Sequence, residues 1–196
     1  MRKPAFLPVA AGVLPLLLVL GLPAPASAGD EAQAGPATGT CVGRIHYTFD
    51  PPLKATPRET TTRWSGDYSC SELPLLKTRT WHGTFTGSVT SVTGCLQASP
   101  GQVVTPSITE TDHWTAPDGE HQVGESTLTG TVSTLPREDG TRVAEWTGTV
   151  TGGTWFKGHH FNGNNVYTSL TSGKLCLAGV GIDHNDGTAV VTFLPL

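Results

Sequence analysis

From Cys41 onward the apolar positions recur at every second residue. Cys41, Gly43, Ile45, Tyr47 and Phe49 fall on one side of an extended chain, and Arg44, His46, Thr48 and Asp50 on the other. That alternation predicts a half-buried β-strand. Pro51-Pro52 removes two ladder donors and is expected to end it. Residues 59–69 predict a second strand with Trp64 and Tyr68 on one side.

The clearest internal echo pairs Trp81-His82-Gly83-Thr84-Phe85-Thr86-Gly87 with Trp146-Thr147-Gly148-Thr149-Val150-Thr151-Gly152. A partial third copy is Leu128-Thr129-Gly130-Thr131-Val132-Ser133. In each, a bulky residue and glycine share a face and threonine takes the other. Alternating bulk with glycine lets a sheet coil tightly and its inner layers interdigitate, which suits a small closed barrel.

Turn chemistry extends the pattern. Asp118-Gly119, Asp139-Gly140, Asn162-Gly163 and Asp186-Gly187 each supply a left-handed position at little steric cost, as a tight hairpin requires. The strands they would join run near residues 106–114, 121–133, 141–156, 165–170, 174–182 and 188–194. With those before them this gives about nine strands. Hairpin connection throughout predicts a single antiparallel β-barrel over residues 41–196, with a β-sandwich as the alternative, because closure removes exposed edges.

Composition agrees. There are 24 Gly, 15 Pro and 30 Thr, and only 14% charged residues, a mixture poor in helix formers. The net charge of −4, with no basic tract longer than Arg2-Lys3, argues against a phosphate-binding surface, so no nucleic-acid partner is expected.

Residues 1–28 read as a signal peptide: Arg2 and Lys3, an apolar run from Val9 to Leu22, and the small-residue site Ala26-Ser27-Ala28. The run, broken by Pro15 and Gly21, is too short for a stop-transfer helix. A secreted, extracellular product with no membrane attachment after cleavage is expected. Residues 29–40 carry no apolar period and are expected to form a flexible arm.

Four cysteines remain in the exported chain: Cys41, Cys70, Cys95 and Cys176. An even number in this compartment predicts two disulfides. Cys41 and Cys70 bracket one candidate hairpin, which pairs them and leaves Cys95 with Cys176. A Cys₄ zinc site is disfavoured because no pair has the short spacing that grips one ion.

The chain resembles small secreted β-barrel proteins of actinobacteria in its Ala-rich export signal, its early cysteine pair and the Gly/Thr-rich, aromatic-bearing stretch Gly148 to Gly158. The segment from Cys176 to Val180, followed by an apolar closing strand, adds to the likeness. The resemblance implies a fold and a compartment, and no activity.

The search for chemistry is largely negative. There is no G-x-S-x-G elbow and no spare thiol. There is no H-E-x-x-H motif, and His159-His160 would point to opposite faces of a strand. Asp183 to Gly187 fails the spacing of a calcium loop and reads better as a hairpin turn. No metal or cofactor is expected. Glu110, Asp112, Glu120, Glu125 and Glu145 lie on predicted strands, where two could face each other as glycosidase carboxylates do. Glu110 and Asp112 share a face, expected to be the solvent side of a strand.

Among the five tryptophans, Trp81 and Trp146 are expected to fill the core. Trp155 and Phe156 are consecutive strand residues that face opposite ways, so one of them is expected to leave the core side. They lead into a predicted loop from Gly158 to Asn165. Trp155, Phe156, His159 and His160 are therefore the candidate ligand-binding rim. The favoured reading is a non-enzymatic binding module for a small ligand, a glycan or an extracellular protein. The alternatives are a secreted hydrolase using His159, His160 and Glu145, or a protease inhibitor presenting loop 96–106.

Overall fold

A computed structural model describes residues 38–72, 80–95, 107–136, 142–167, 174–176 and 178–196. The strands are β1 (Gly39–Leu53), β2 (Arg58–Ser71), β3 (Thr80–Thr93), β4 (Ile108–Thr115), β5 (Gln122–Pro136), β6 (Arg142–Gly153), β7 (His160–Tyr167) and β8 (Ile182–Leu194). Each pairs antiparallel with its sequence neighbour, and β1 pairs with β8, so the sheet closes into an eight-stranded up-and-down barrel. Eight strands leave an interior just wide enough for side chains to fill.

The predicted faces of β1 are the observed ones. Cys41, Ile45 and Tyr47 are buried, whereas Val42, Arg44, His46 and Thr48 are exposed. The glycines explain how five tryptophans fit. Gly87 stands between Trp64 of β2 and Glu110 of β4 in one register row. A Cβ there would lie 2.2 Å from the Trp64 ring, so the indole crosses the space a side chain would occupy. Gly83 does the same between Tyr68 and Trp114, and Gly163 beneath Trp146. The W-x-G repeat is therefore a packing device: Trp81 and Trp146 are buried in the core, as expected, and the glycines beside them admit rings from neighbouring strands.

Both disulfides form as paired above. Cys41 faces Cys70 in the β1–β2 register with Cα atoms 4.0 Å apart. Cys95 and Cys176, with Cα atoms 6.0 Å apart, centre a satellite cluster with Leu53 and Ile182.

Several expectations need correction. The barrel has eight strands because residues 174–176 are helical, and one continuous strand begins only at Ile182. Asp186-Gly187 lies within β8, where Gly187 sits close to the Val166 carbonyl and Ile45. Asn162-Gly163 lies within β7. In a barrel that needs glycine on its inner face, an Asn-Gly or Asp-Gly pair no longer marks a turn by itself. Asp118-Gly119 does turn the chain, with Gly119 at φ 73°. Asp139-Gly140 lies outside the described residues, as do residues 1–37 and loop 96–106. Pro51-Pro52 does not end β1, which continues to Leu53, and the strand begins at Gly39 within the segment read as an arm.

Candidate functional site

The two ends of the barrel are built differently. At one end β6 stops at Gly153 and the chain turns through residues 154–159 before β7. Trp155 and Phe156 are therefore not strand neighbours. Phe156 adopts φ 53°, and this twist sends both side chains inward. Phe156 stacks on Phe193 at 4.2 Å, Trp155 stacks on Trp114 at 6.2 Å, and Trp81 meets Trp155 edge-on at 5.8 Å. Ser126 fastens this plug. It accepts from Trp114 Nε1 at 2.8 Å and donates to the Trp155 carbonyl at 2.7 Å. The expectation that one of the two aromatics leaves the core is thus overturned.

His159 follows in the same turn, its N–H donating to the Phe156 carbonyl. His160 opens β7 on the outside, where it lines a shallow groove of about 420 Å³ with Thr149, Phe161 and Leu194. The structure therefore splits the four candidate residues between a sealed interior and an outer surface. Glu145 lies on β6, opposite Asn164 in the ladder, away from the 154–159 turn.

At the opposite end the inward positions are less covered. Phe49, Val89, Val132 and Tyr167 are only half-buried where they pack on the core. Beneath them lie two buried hydrogen bonds. Asn165 Nδ2 donates to the Tyr47 hydroxyl at 2.8 Å, and the Tyr47 ring lies 6.5 Å from that of Trp64. Trp64 Nε1 then donates to Glu110 Oε2 at 2.5 Å.

Glu110 and Asp112 overturn the solvent-side expectation. Both lie on the inner face of β4 with Ile108 and Trp114, and they are 2% and 0% exposed. Asn165 Oδ1 has no hydrogen-bond partner, whereas the Glu110 and Asp112 carboxyls hydrogen-bond each other, which requires a proton on one of them. Among the described residues the buried polar side chains are Thr60, Glu110, Asp112, Ser126 and Asn165, so no cation lies buried beside the pair. A buried charge without a partner is costly, and the groups stay protonated instead. Burial pushes the Glu110 carboxyl up to about 8 against the opposing effect of the Trp64 bond. Burial, with the Glu110 charge adding to it, pushes Asp112 well above the usual carboxylate range. Burial also raises the Tyr47 and Tyr68 phenols.

Sequence reasoning found these acids and placed them on the wrong face. The signal was available: Glu110 and Asp112 share the parity of Ile108 and Trp114, whereas Thr109, Thr111, His113 and Thr115 hold the other. The chemistry of the pair is that of two neutral carboxyls sharing a hydrogen bond. Two adjacent carboxyls on one strand do not flank a cleft as glycosidase carboxylates do. Among the described residues no three His, Cys, Asp or Glu side chains converge as a metal site. No family model, curated protein or solved structure matches this chain.

Proposed function

We infer that the protein is exported, loses residues 1–28 and acts outside the cell as a non-enzymatic binding barrel. Its ligand is a small molecule held in the half of the interior that lies beneath Phe49, Val89, Val132 and Tyr167. The observation that carries this reading is the asymmetry of the barrel. One end is packed with stacked aromatics, while the other has half-buried rim residues above the Asn165 Oδ1, which lacks a partner. Small-molecule sites combine apolar walls with a few convergent polar groups in this way.

Two disulfides support an extracellular setting. The outward positions of β1, among them Arg44, His46 and Thr48, carry charge and hydroxyl where a lipid-facing barrel needs an apolar band. That supports a barrel in water.

The test is a panel of small lipids, sugars and amines read by tryptophan fluorescence and thermal shift. A response lost in Asn165→Ala and altered in Trp64→Phe is expected. A response untouched by both substitutions would move the site elsewhere, and silence across the panel would overturn the reading.

A further inference from the structure

Four histidines on the outside of the barrel each hold a carboxylate at Nδ1: His46 with Asp186, His113 with Glu125, His121 with Asp118 and His184 with Asp183. Two of these pairs stand side by side. His46 on β1 faces Asp186 on β8 in the register, and His184 faces Thr48, two residues along β1 from His46. Diagonal neighbours of this kind are within reach of ring side chains. The His46 and His184 rings do meet, stacked with centroids 6.2 Å apart.

The chemistry follows from the position of the proton. A carboxylate only accepts, so at 2.7 Å the His46 Nδ1 carries the hydrogen toward Asp186, and the His184 Nδ1 carries one toward Asp183. In the neutral imidazole this leaves the Nε2 lone pair of each ring free to ligate. Metal-binding histidines are held in the same way, by a carboxylate that fixes the tautomer and raises the basicity of the ligating nitrogen. The two side chains are 47% and 62% exposed, so an ion reaches them directly from water.

We propose that His46 and His184 bind one divalent transition ion, Cu²⁺ or Zn²⁺, through their Nε2 atoms, with Asp186 and Asp183 as positioning residues. Imidazole suits these ions, whereas Mg²⁺ and Ca²⁺ prefer oxygen. Two bonds of ~2.1 Å, each ending on a ring edge, span a separation of this order. Small rotations of two exposed side chains complete the pair. Among the described residues no three His, Cys, Asp or Glu side chains converge, so water fills the remaining positions. Because β1 and β8 are the first and last strands, the ion ties the seam at which the barrel closes. The site lies on the outer wall and does not rest on the binding reading above. The segment Asp183 to Gly187, set aside as a calcium loop, supplies one of the two imidazoles. Local spacing could not reveal the other, since His46 and Asp186 are 140 residues apart.

The test titrates Zn²⁺ and Cu²⁺ into the disulfide-bonded full chain, made without a histidine tag, and reads calorimetry and thermal unfolding. One ion per chain is expected, with Cu²⁺ bound more tightly than Zn²⁺. Zn²⁺ should raise Tm, since it binds the folded state in which the two strands are adjacent. Bound Cu²⁺ should show hyperfine structure from two imidazole nitrogens in its electron paramagnetic resonance spectrum. Asp186→Asn should weaken binding by ~10-fold and keep the two-nitrogen spectrum. His46→Gln and His184→Gln should each weaken it further and remove the rise in Tm, with far-UV circular dichroism showing that the barrel persists. His113→Gln and His121→Gln, which each remove one histidine–carboxylate pair elsewhere, should leave the affinity unchanged.

Affinity unchanged by His46→Gln or by His184→Gln would overturn the proposal, as would a Cu²⁺ spectrum with a single imidazole nitrogen. Displacement of Zn²⁺ by an equal concentration of Ca²⁺ would assign the ion to carboxylate oxygens and overturn it too. Failure of both ions to bind the folded chain would dispose of the site altogether. None of these results concerns the interior, so the small-molecule panel decides the binding reading separately.

Discussion

Raising the pH should destabilise this barrel across a range in which most proteins are near their most stable. The perturbation is the ionisation of Glu110. Its carboxyl titrates at about 8 when folded, against 4.5 as the ordinary value, and burial is the largest cause. The folded state holds its proton more tightly than the unfolded chain does. The stability this contributes is fully present below the unfolded value and is lost as pH rises toward the folded one. Each pH unit inside that window costs about 1.4 kcal/mol, so moving from about pH 5.5 to 7.5 removes roughly 3 kcal/mol. At an unfolding entropy of ~2.1 cal/mol/K per residue, a domain of this size should lose roughly 9 °C in Tm. Asp112 shifts in the same direction for the same first cause and steepens the loss. Tyr47 and Tyr68 are raised from 10.0 and titrate above the window. Asp118 and Asp183 are lowered, chiefly by hydrogen bonds from the Glu120 backbone and from His184, and they act in more acidic solution. The assay is differential scanning calorimetry from about pH 5 to 8, in low-ionisation-enthalpy buffers, on the wild type and on Glu110→Gln/Asp112→Asn. The double variant should show a nearly flat profile and exceed the wild type at the alkaline end. A wild-type Tm that is flat or rises with pH, or a double variant that keeps the wild-type slope, would refute the reasoning.

Three further outcomes follow from the packing. Gly87→Val should cost about 3 kcal/mol in urea unfolding, because a side chain there overlaps the Trp64 ring; it should also shift the emission by breaking the bond to Glu110, and unchanged emission would contradict this. Ser126→Ala removes the hydroxyl that joins Trp114 to the Trp155 carbonyl. About 2 kcal/mol should be lost through the two groups left unpaired, with near-ultraviolet circular dichroism reporting a loosened aromatic plug. Replacing Cys95 and Cys176 together by serine opens a bridge across 81 residues of sequence. The loss should be about 4 kcal/mol by calorimetry, and a variant as stable as the parent would show that the bridge constrains little.

The acid pair shows how far the sequence carried. The alternation along residues 108–115 was plain, and it put Glu110 and Asp112 on one face with Ile108 and Trp114. Reading that face as solvent followed from the average behaviour of carboxylates, which are rarely buried unpaired. The contrary outcome depends on neighbours that are distant in sequence. Trp64 reaches Glu110 across a register row whose middle member is Gly87. Trp155 and Phe156 failed in another way. Strand parity does not survive a turn with a residue at φ 53°, and nothing local marks Phe156 as that residue.

What the sequence determined by itself was periodic or counted: a two-residue repeat, an even set of cysteines, and glycine alternating with bulk. These yield strands, two bridges and a closed barrel, because side-chain parity and thiol number act along the chain. Tertiary structure decided the strand count, the role of the described Asn-Gly and Asp-Gly pairs, which end the aromatics fill, and that two carboxyls lie inside. Each of those depends on what register and closure bring beside a residue from strands far away in sequence, where the cost of burying a charge and the room for a ring are set.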